Sequence, residues 1–282
     1  MPELPEVETM RRGLLPIVGS TIVLVEYPAI PYRPIVVYPS RESLADRVTG
    51  HTITAVDRIA KRVLVRLTSR DSVVMQPKMA GIAMLSDPPS DQHIRVVFHL
   101  RNVHGGPSLP SQFLYWDRRG LGTVCLWTPE EELKYLGPDS LGPDALLVDA
   151  KSFASRFRDC KKAVKVALLD QTLVAGIGNL YAAEILFAAR VSPEARCCDL
   201  ATSKWRSIHE HSQRILLKAI ENEGSTLSDG TYRNAINGEG SYQNHHLVYD
   251  REGEHCTRCK KGTIVRIVQA QRSTFYCPKC QA

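Results

Sequence analysis

Four cysteines near the end of the chain constrain its local fold more than any other feature. They form two Cys-x-x-Cys pairs, and 17 residues separate Cys259 from Cys277. This spacing is typical of zinc ribbons, because each pair offers two thiolates on one tight turn and two turns complete a tetrahedral site. The alternative is a pair of redox-active motifs or an accidental spacing. We predict one structural Zn²⁺, held by Cys256, Cys259, Cys277 and Cys280.

The first eight residues, MPELPEVE, favour two interpretations that can both hold. If Met1 is removed, Pro2 becomes a secondary amine, and an α-amino group with a pKa of about 7.7–8 has a lone pair near neutral pH. Its attack on a sugar C1′ would give an iminium, an electron sink for β-elimination, and Glu3 stands next to it to move protons. The other interpretation is structural. Prolines and acids begin a helix over residues 5–15, where apolar residues have helical spacing.

Length and charge indicate a protein of several modules. The 282 residues exceed the usual size of one domain. The net charge of +6 is compatible with a polyanionic partner but is not specific for one. No run approaches the roughly 18 apolar residues of a membrane span, and the start lacks the pattern of a secretory signal. We expect a cytoplasmic protein with no membrane partner.

The chain changes from strand-like to helical patterning near residue 136. Before it, alternating apolar residues and Gly/Pro-rich loops predict an antiparallel β-sandwich or barrel. The predicted strands are 21–27, 53–56, 62–67, 73–75, 93–100, 112–116 and 122–127, with a long hairpin loop over 101–111. After it, the predicted helices are 153–157, 163–169, 180–189 and 203–223. The glycine-rich loop 224–240 is either disordered filler or a mobile lid.

Glycines and basic residues in the second half suggest an anion site. Gly176 and Gly178 precede a predicted helix, where backbone N–H groups can point at a phosphate. Cationic and polar side chains occur upstream and within the zinc module: Lys161, Lys162, Lys165, Arg266, Gln271 and Arg272. A protein that contacts DNA from two sides would have this distribution, although any single lysine taken alone is more often part of a solvated surface.

Three motifs occur in the order of a known family: PELPEVE at the start, GIGNLYAAE in the middle and AQRSTFYCPKC at the end. The chain resembles formamidopyrimidine-DNA glycosylases along its whole length. The resemblance implies an α+β fold: an N-terminal β-sandwich with an N-terminal helix (1–130), a helix–two-turns–helix DNA-binding domain (131–245) and a zinc finger (246–282). It also implies a monomer that removes oxidised purines, such as 8-oxoguanine and formamidopyrimidines, from duplex DNA and cleaves abasic sites.

The resemblance also assigns roles to individual residues. Pro2 is similar to the Schiff-base nucleophile, Glu3 to the general acid for base release, Lys61 to the proton donor for β-elimination, and Arg272 to a residue that assists δ-elimination. Further residues match DNA-contacting positions: Lys161, Lys165 and Asn179 on phosphates, His93, the void-filling Met79, and Arg119, which probes the orphaned base. Leu121 stands where the family usually has a void-filling Phe, and Gln76 where a His is common.

Three rival functions remain open. An endonuclease VIII-like glycosylase would prefer oxidised pyrimidines, but that group commonly has Gly where this chain has Leu4. A catalytically silent DNA-damage binder would not need Pro2, Glu3 and Lys61 together. A zinc ribbon that binds proteins would have no salt-sensitive affinity for DNA. We therefore expect a bifunctional glycosylase and abasic-site lyase, with a lesion range that the Leu121 and Gln76 departures leave open.

Overall fold

The computed structural model describes residues 2–102, 110–227, 230 and 232–281. The chain forms two compact units, Met1–Gly137 with Asn222–Gln243, and Pro138–Glu221 with Asn244–Ala282. The domain boundaries at 130/131 and 245/246 remain predictions, and the compact units divide the chain differently, since the segment 222–243 belongs to the first unit. Most of the predicted 101–111 loop lies outside the described residues. None of the helices that the structure describes has the length and apolar character to cross a membrane.

Two β-sheets build the first unit, as the sequence predicts. The strands are β1 (Ser20–Glu26), β2 (Val36–Tyr38), β3 (Ile53–Ile59), β4 (Arg62–Leu67), β5 (Ser72–Gln76), β6 (Gly81–Met84), β7 (Ile94–Asn102), β8 (Gln112–Asp117) and β9 (Thr123–Trp127). One sheet has the order β1-β7-β8-β6 and the other β2-β9-β5-β4-β3. All pairs are antiparallel except β2 with β9, which is parallel. The three-residue β2 and the four-residue β6 are too short for alternation to reveal them.

Among the described residues of this unit, three α-helices accompany the sheets: α1 (Leu4–Leu14), α2 (Arg41–Val48) and α3 (Pro129–Leu136). The helical interpretation of the first residues is confirmed, because Val7, Met10 and Leu14 of α1 are fully buried in the core shared with both sheets. Helix α1 packs against β3, β4 and β6. The start of the chain is therefore anchored by a buried apolar stripe rather than left as a loose terminus.

The described part of the glycine-rich loop folds against α1. The backbone N–H of Ser225 donates to Oε1 of Glu6 at 2.9 Å, and the N–H of Leu85 donates to the carbonyl of Ala235 at 2.9 Å. Tyr232 is buried, and its hydroxyl donates to the carbonyl of Glu223 at 2.9 Å. These contacts explain why residues 222–243 belong to the first unit, although they follow the helices of the second in sequence.

The second unit combines helices with a hairpin. Its elements are α4 (Ala150–Phe157), α5 (Val164–Leu168), α6 (Asn179–Ala189), α7 (Thr202–Glu221), β10 (Val265–Gln269) and β11 (Arg272–Tyr276). The predicted helices are all present, and β10 and β11 form an antiparallel pair. The buried carboxylate of Glu184, on α6, accepts hydrogen bonds from the N–H groups of residues 247–249 at 2.8–3.0 Å. This contact fixes the chain that leads into the cysteine module against α6.

Candidate active site and nucleic-acid interface

The Glu6 carboxylate fixes the backbone at the start of the chain. Pro2 and Glu3 are both buried, and Glu3 is the residue just before α1. The Glu3 N–H donates to Oε2 of Glu6 at 2.9 Å, while the other oxygen of Glu6 binds Ser225. Gly224 has φ +78°, and a Cβ at this position would lie 2.8 Å from Cγ and Oε1 of Glu6. The residue next to Pro2 is thus held by a carboxylate that the glycine-rich loop encloses.

Lys61 lies in the two-residue turn between β3 and β4, which pair from Ile59 opposite Arg62. The preceding Ala60 has a left-handed φ of +52°, a conformation that costs free energy for a residue with a side chain. Nη1 of Arg58 donates to the Ala60 carbonyl at 3.1 Å. The turn is therefore held by a hydrogen bond from the strand that leads into it.

Glu8, on the second turn of α1, gathers three guanidinium groups. Its carboxylate oxygens lie 2.8 Å from Nη2 of Arg11, 2.9 Å from Nε of Arg12 and 3.1 Å from Nε of Arg58. Burial opposes the charged form of Glu8, but the hydrogen bonds from Arg11 and Arg12 and the charges of Arg11 and Arg58 outweigh it and lower the pKa to about 2. Glu8 is an anion throughout the neutral range.

Two adjacent turns present the residues matched to the family's void-filling set. The turn 77–80 joins β5 to β6 and the turn 118–122 joins β8 to β9, and the sheet pairs Gly81 with Asp117 and Gln76 with Thr123. The register therefore places the two turns side by side. Met79 and Arg119 are exposed and Leu121 is partly exposed. Three side chains from two distant parts of the sequence thus lie at one edge of the sandwich.

The buried carboxylate of Asp117 shapes the second of these turns. Oδ1 accepts from the N–H of Arg119 at 2.9 Å and Oδ2 from the N–H of Gly122 at 2.7 Å. Nε of Arg95, also buried, donates to the carbonyl of Asp117 at 2.7 Å. The Asp117 carboxylate therefore holds both ends of the turn that carries Arg119 and Leu121.

His93 lies near the same turn. Its ring packs against Tyr32, with centroids 4.7 Å apart, and edge-on to Trp116 at 5.6 Å. Desolvation and the charges of Arg95 and Arg118 lower the pKa of His93 below its usual 6.5. The surroundings of the ring therefore favour the neutral imidazole.

In the second unit, Asn179 is the first residue of α6 and is held by two neighbours. Its Nδ2 donates to the carbonyl of Ser273 at 3.0 Å, and its Oδ1 accepts from Nζ of Lys165. Lys165 has no exposed surface, whereas Lys161 is exposed. Of the two lysines matched to phosphate contacts, Lys165 therefore bonds to Asn179 and to the carbonyl of Ser273 in the hairpin, whereas Lys161 faces solvent.

Arg272 begins β11 at the tip of the hairpin, opposite Gln269. The two turn residues, Ala270 and Gln271, have positive φ values of 46° and 59°. Two left-handed residues produce the tight hairpin turn that glycine and asparagine usually adopt, so this tip carries backbone strain. Arg272 and Gln271 are exposed there.

The four predicted cysteines converge, with all ligand atoms within 4.8 Å of one another. Sγ of Cys256 is 3.7 Å from that of Cys280, and Sγ of Cys259 is 3.8 Å from that of Cys277. Sulfurs bound tetrahedrally to Zn²⁺ at about 2.3 Å are separated by about 3.8 Å, so the cluster has the size of a zinc site. The predicted structural Zn²⁺ is confirmed in its four cysteine ligands.

Each unit thus assembles part of the predicted site. The first contains Pro2, Glu3, Lys61 and the two adjacent turns, and the second contains Asn179, Lys161, Arg272 and the zinc ligands. The sequence interpretation missed Glu6, Glu8 and Asp117 as organising carboxylates. Of these three, only Glu6 is indicated by a local sequence pattern, because an acid three residues after the N-cap residue of a helix is typical of a capping box.

Known families match nearly the whole chain. Residues 1–124 match the Formamidopyrimidine-DNA glycosylase N-terminal domain, residues 136–231 the Formamidopyrimidine-DNA glycosylase H2TH domain, and residues 253–282 the Zinc finger found in FPG and IleRS. The Formamidopyrimidine-DNA glycosylase of Chloroflexus aurantiacus is 36% identical over 288 residues, which cover 100% of this chain and 98% of that protein. That of Herpetosiphon aurantiacus is 37% identical, with full coverage of both chains.

Solved structures of the same family are also similar to this chain. A complex of Lactococcus lactis Fpg with abasic-site-containing DNA is 33% identical, has a TM-score of 0.85 and covers 99% of both chains. A structure of MutM in complex with carbocyclic 8-oxo-G-containing DNA is also 33% identical, with a TM-score of 0.84. The similarity extends over both units, so it includes every element that carries a candidate site residue.

Proposed function

We propose that this chain, which belongs to the formamidopyrimidine-DNA glycosylase family, uses the amine of Pro2 to remove oxidised purines from duplex DNA. It is a base excision repair DNA glycosylase with abasic-site lyase activity. Relatives bound to Fapy-dG-containing and 8-oxo-G-containing DNA support the purine substrates. The observation that carries the assignment of the nucleophile is the buried Pro2–Glu3 pair at the start of an anchored helix.

The chemistry begins once Met1 has been removed, since only then is Pro2 an amine. The lesion must leave the base stack, which costs a few kcal/mol. The amine attacks C1′ and the glycosidic bond breaks, with Glu3 supplying a proton for base release. The amine then loses its proton and the C1′–O4′ bond opens, with a proton taken up at O4′, which leaves C1′ double-bonded to the nitrogen. The resulting iminium accepts the electrons of the C2′–H bond when that proton is removed, and the C3′–O bond then breaks. Lys61 donates a proton to the departing phosphate, and Arg272 assists the δ-elimination that follows.

The DNA contacts follow from the exposed residues of each unit. Lys161 provides a cation for a phosphate, and Asn179 offers an amide at the first turn of α6, where phosphates are stabilised. Buried Lys165 holds the Asn179 side chain in place. Met79, Arg119 and Leu121 fill the space that the extruded nucleotide leaves. Leu121 has no ring to stack on a base pair, so we expect altered lesion search or opposite-base preference with the chemistry intact.

Zn²⁺ has a structural function in this account. Bound to four cysteines, it provides a rigid base for the β10–β11 hairpin and takes no part in bond breaking. The hairpin presents Arg272 at its tip, and the carbonyl of Ser273 orients the side chain of Asn179. We further propose that the protein acts as a monomer in the bacterial cytoplasm, where its DNA substrate is located.

Parallel excision assays test the proposed substrate class. Duplexes with 8-oxoguanine opposite cytosine and with thymine glycol opposite adenine are incubated with the protein and resolved on a denaturing gel. We expect faster cleavage of the 8-oxoguanine strand and a product with phosphates on both sides of a one-nucleotide gap. Preference for thymine glycol would favour the endonuclease VIII-like alternative. Salt-sensitive binding without any cleavage, even of abasic DNA, would favour the silent binder.

A further inference from the structure

An ion pair with little solvent exposure connects the helix that follows Pro2 with the turn that carries Lys61. Glu8 lies on α1, and Arg58 lies near the end of β3. Nε of Arg58 is 3.1 Å from Oε2 of Glu8, and the exposed fractions of the two side chains are 8% and 11%. The same guanidinium donates through Nη1 to the carbonyl of Ala60 at 3.1 Å. One planar group therefore links α1 to the residue just before Lys61.

Glu8 is also connected to β3 through Arg11. Arg11 donates to both oxygens of Glu8, at 2.9 and 2.8 Å, and its Nη1 lies 3.4 Å from the carbonyl of Val56 on β3. Arg12 also binds Glu8, at 2.9 Å, but its side chain is 55% exposed. Within the described residues, the side chain of Arg12 bonds only to Glu8. Two of the three arginines thus connect Glu8 to β3 or its turn, and the third does not.

A buried ion pair is expensive unless both charges are well bonded, so its presence needs a reason. Arg58 stabilises the turn, because Ala60 has a strained left-handed backbone and the guanidinium donates a hydrogen bond to its carbonyl. The guanidinium suits both partners since its donors lie in a rigid fork. The result is a fixed distance between the helix that begins beside the nucleophile and the turn of the proton donor.

We propose that Glu8 and Arg58 are positioning residues for Lys61, which set the reach of its ammonium group to the sugar held on Pro2. This inference rests on the proposed function. Proton transfer depends steeply on placement, because a displacement of about 1 Å can cost roughly 100-fold in rate. Base release uses Pro2 and Glu3, and the backbone N–H of Glu3 is held separately by Glu6. Loosening the turn should therefore slow elimination more than base release.

The test compares Arg58→Met with Arg12→Met, a matched control that removes a guanidinium from the same carboxylate. Single-turnover experiments measure release of 8-oxoguanine by chromatography and, separately, cleavage of preformed abasic DNA on a gel. We expect Arg58→Met to slow cleavage by about tenfold or more and base release by less than about threefold. Arg12→Met should change neither. The imine, trapped by borohydride at early times, should accumulate to a higher level in Arg58→Met than in wild type or Arg12→Met.

A double-mutant cycle with Lys61→Ala separates positioning from general damage. If Arg58 acts through Lys61, Arg58→Met/Lys61→Ala cleaves abasic DNA no more slowly than Lys61→Ala alone. Arg58→Lys, which keeps a buried cation for Glu8 but lacks the fork, is a second variant if Arg58→Met folds poorly, and it should show the same selective slowing. Equal slowing of both steps, or identical behaviour of Arg58→Met and Arg12→Met, would overturn the inference. Wild-type protein that cleaves no abasic DNA would instead contradict the proposed function.

Discussion

Substitution of Gly224 by alanine should destabilise the protein through a defined clash with Glu6. Gly224 has φ +78°, which costs an L-residue about 1–2 kcal/mol. The new Cβ would lie 2.8 Å from Cγ and Oε1 of Glu6, so the carboxylate has to move. That movement weakens its bonds to the N–H groups of Glu3 and Ser225, and a hydrogen bond to a charged group contributes about 1.5–3 kcal/mol. We expect a total loss of about 3–5 kcal/mol.

Thermal unfolding followed by circular dichroism measures this loss, with Gly19→Ala as the control. Gly19 has φ +89° in the same unit, and a Cβ there would meet nothing within 4 Å. Gly19→Ala should therefore lose only the backbone part, about 1–2 kcal/mol, which lowers Tm by a few degrees. Gly224→Ala should lower Tm by roughly 10 °C and reduce imine trapping. Equal Tm values for the two variants would show that the loop does not hold Glu6 as described.

Other variants test the remaining contacts. Asp117→Asn removes one of two amide acceptors in the turn 118–122, and fluorescence anisotropy should show roughly tenfold weaker binding to duplex with an abasic analogue. Lys165→Met leaves Oδ1 of Asn179 without its buried donor, and denaturant titration should show a loss of about 1–3 kcal/mol. Because the folded pKa of Glu8 is lowered to about 2 from 4.5, its stabilisation is present above pH 4.5 and lost as pH falls towards 2, so the Tm difference between wild type and Glu8→Gln should shrink over that range. Chelation of Zn²⁺ should abolish DNA binding in the same anisotropy assay, and added Zn²⁺ should restore it.

Local signals in the sequence were sufficient for much of the fold. The zinc ligands follow from spacing alone, and the buried stripe of α1 follows from Val7, Met10 and Leu14 at helical intervals. Most strands of the sandwich alternate clearly enough to be predicted. Strand β2 and its parallel pairing with β9 could not be found, because three residues carry no periodicity.

Contacts between residues that are far apart in the chain could not be predicted from the sequence. Glu8 and Arg58 are 50 positions apart, and neither has a local pattern that indicates its partner. The resemblance matched Lys165 to a phosphate-contacting position, but only the structure shows that its side chain is buried against Asn179. The packing of residues 222–243 within the first unit likewise depends on the bonds of Ser225 to Glu6 and of Leu85 to Ala235, and no local pattern in the sequence indicates either pair.

The central claim is that Pro2 forms the covalent intermediate. It is tested by borohydride reduction during incubation with duplex DNA that contains 8-oxoguanine opposite cytosine, after mass spectrometry has established that the protein lacks Met1. Wild-type protein should give a protein–DNA adduct whose crosslinked peptide begins with modified Pro2, and Pro2→Gly should give far less. An adduct at another residue, or no adduct and no strand cleavage by Met-free protein even on abasic DNA, would contradict the account.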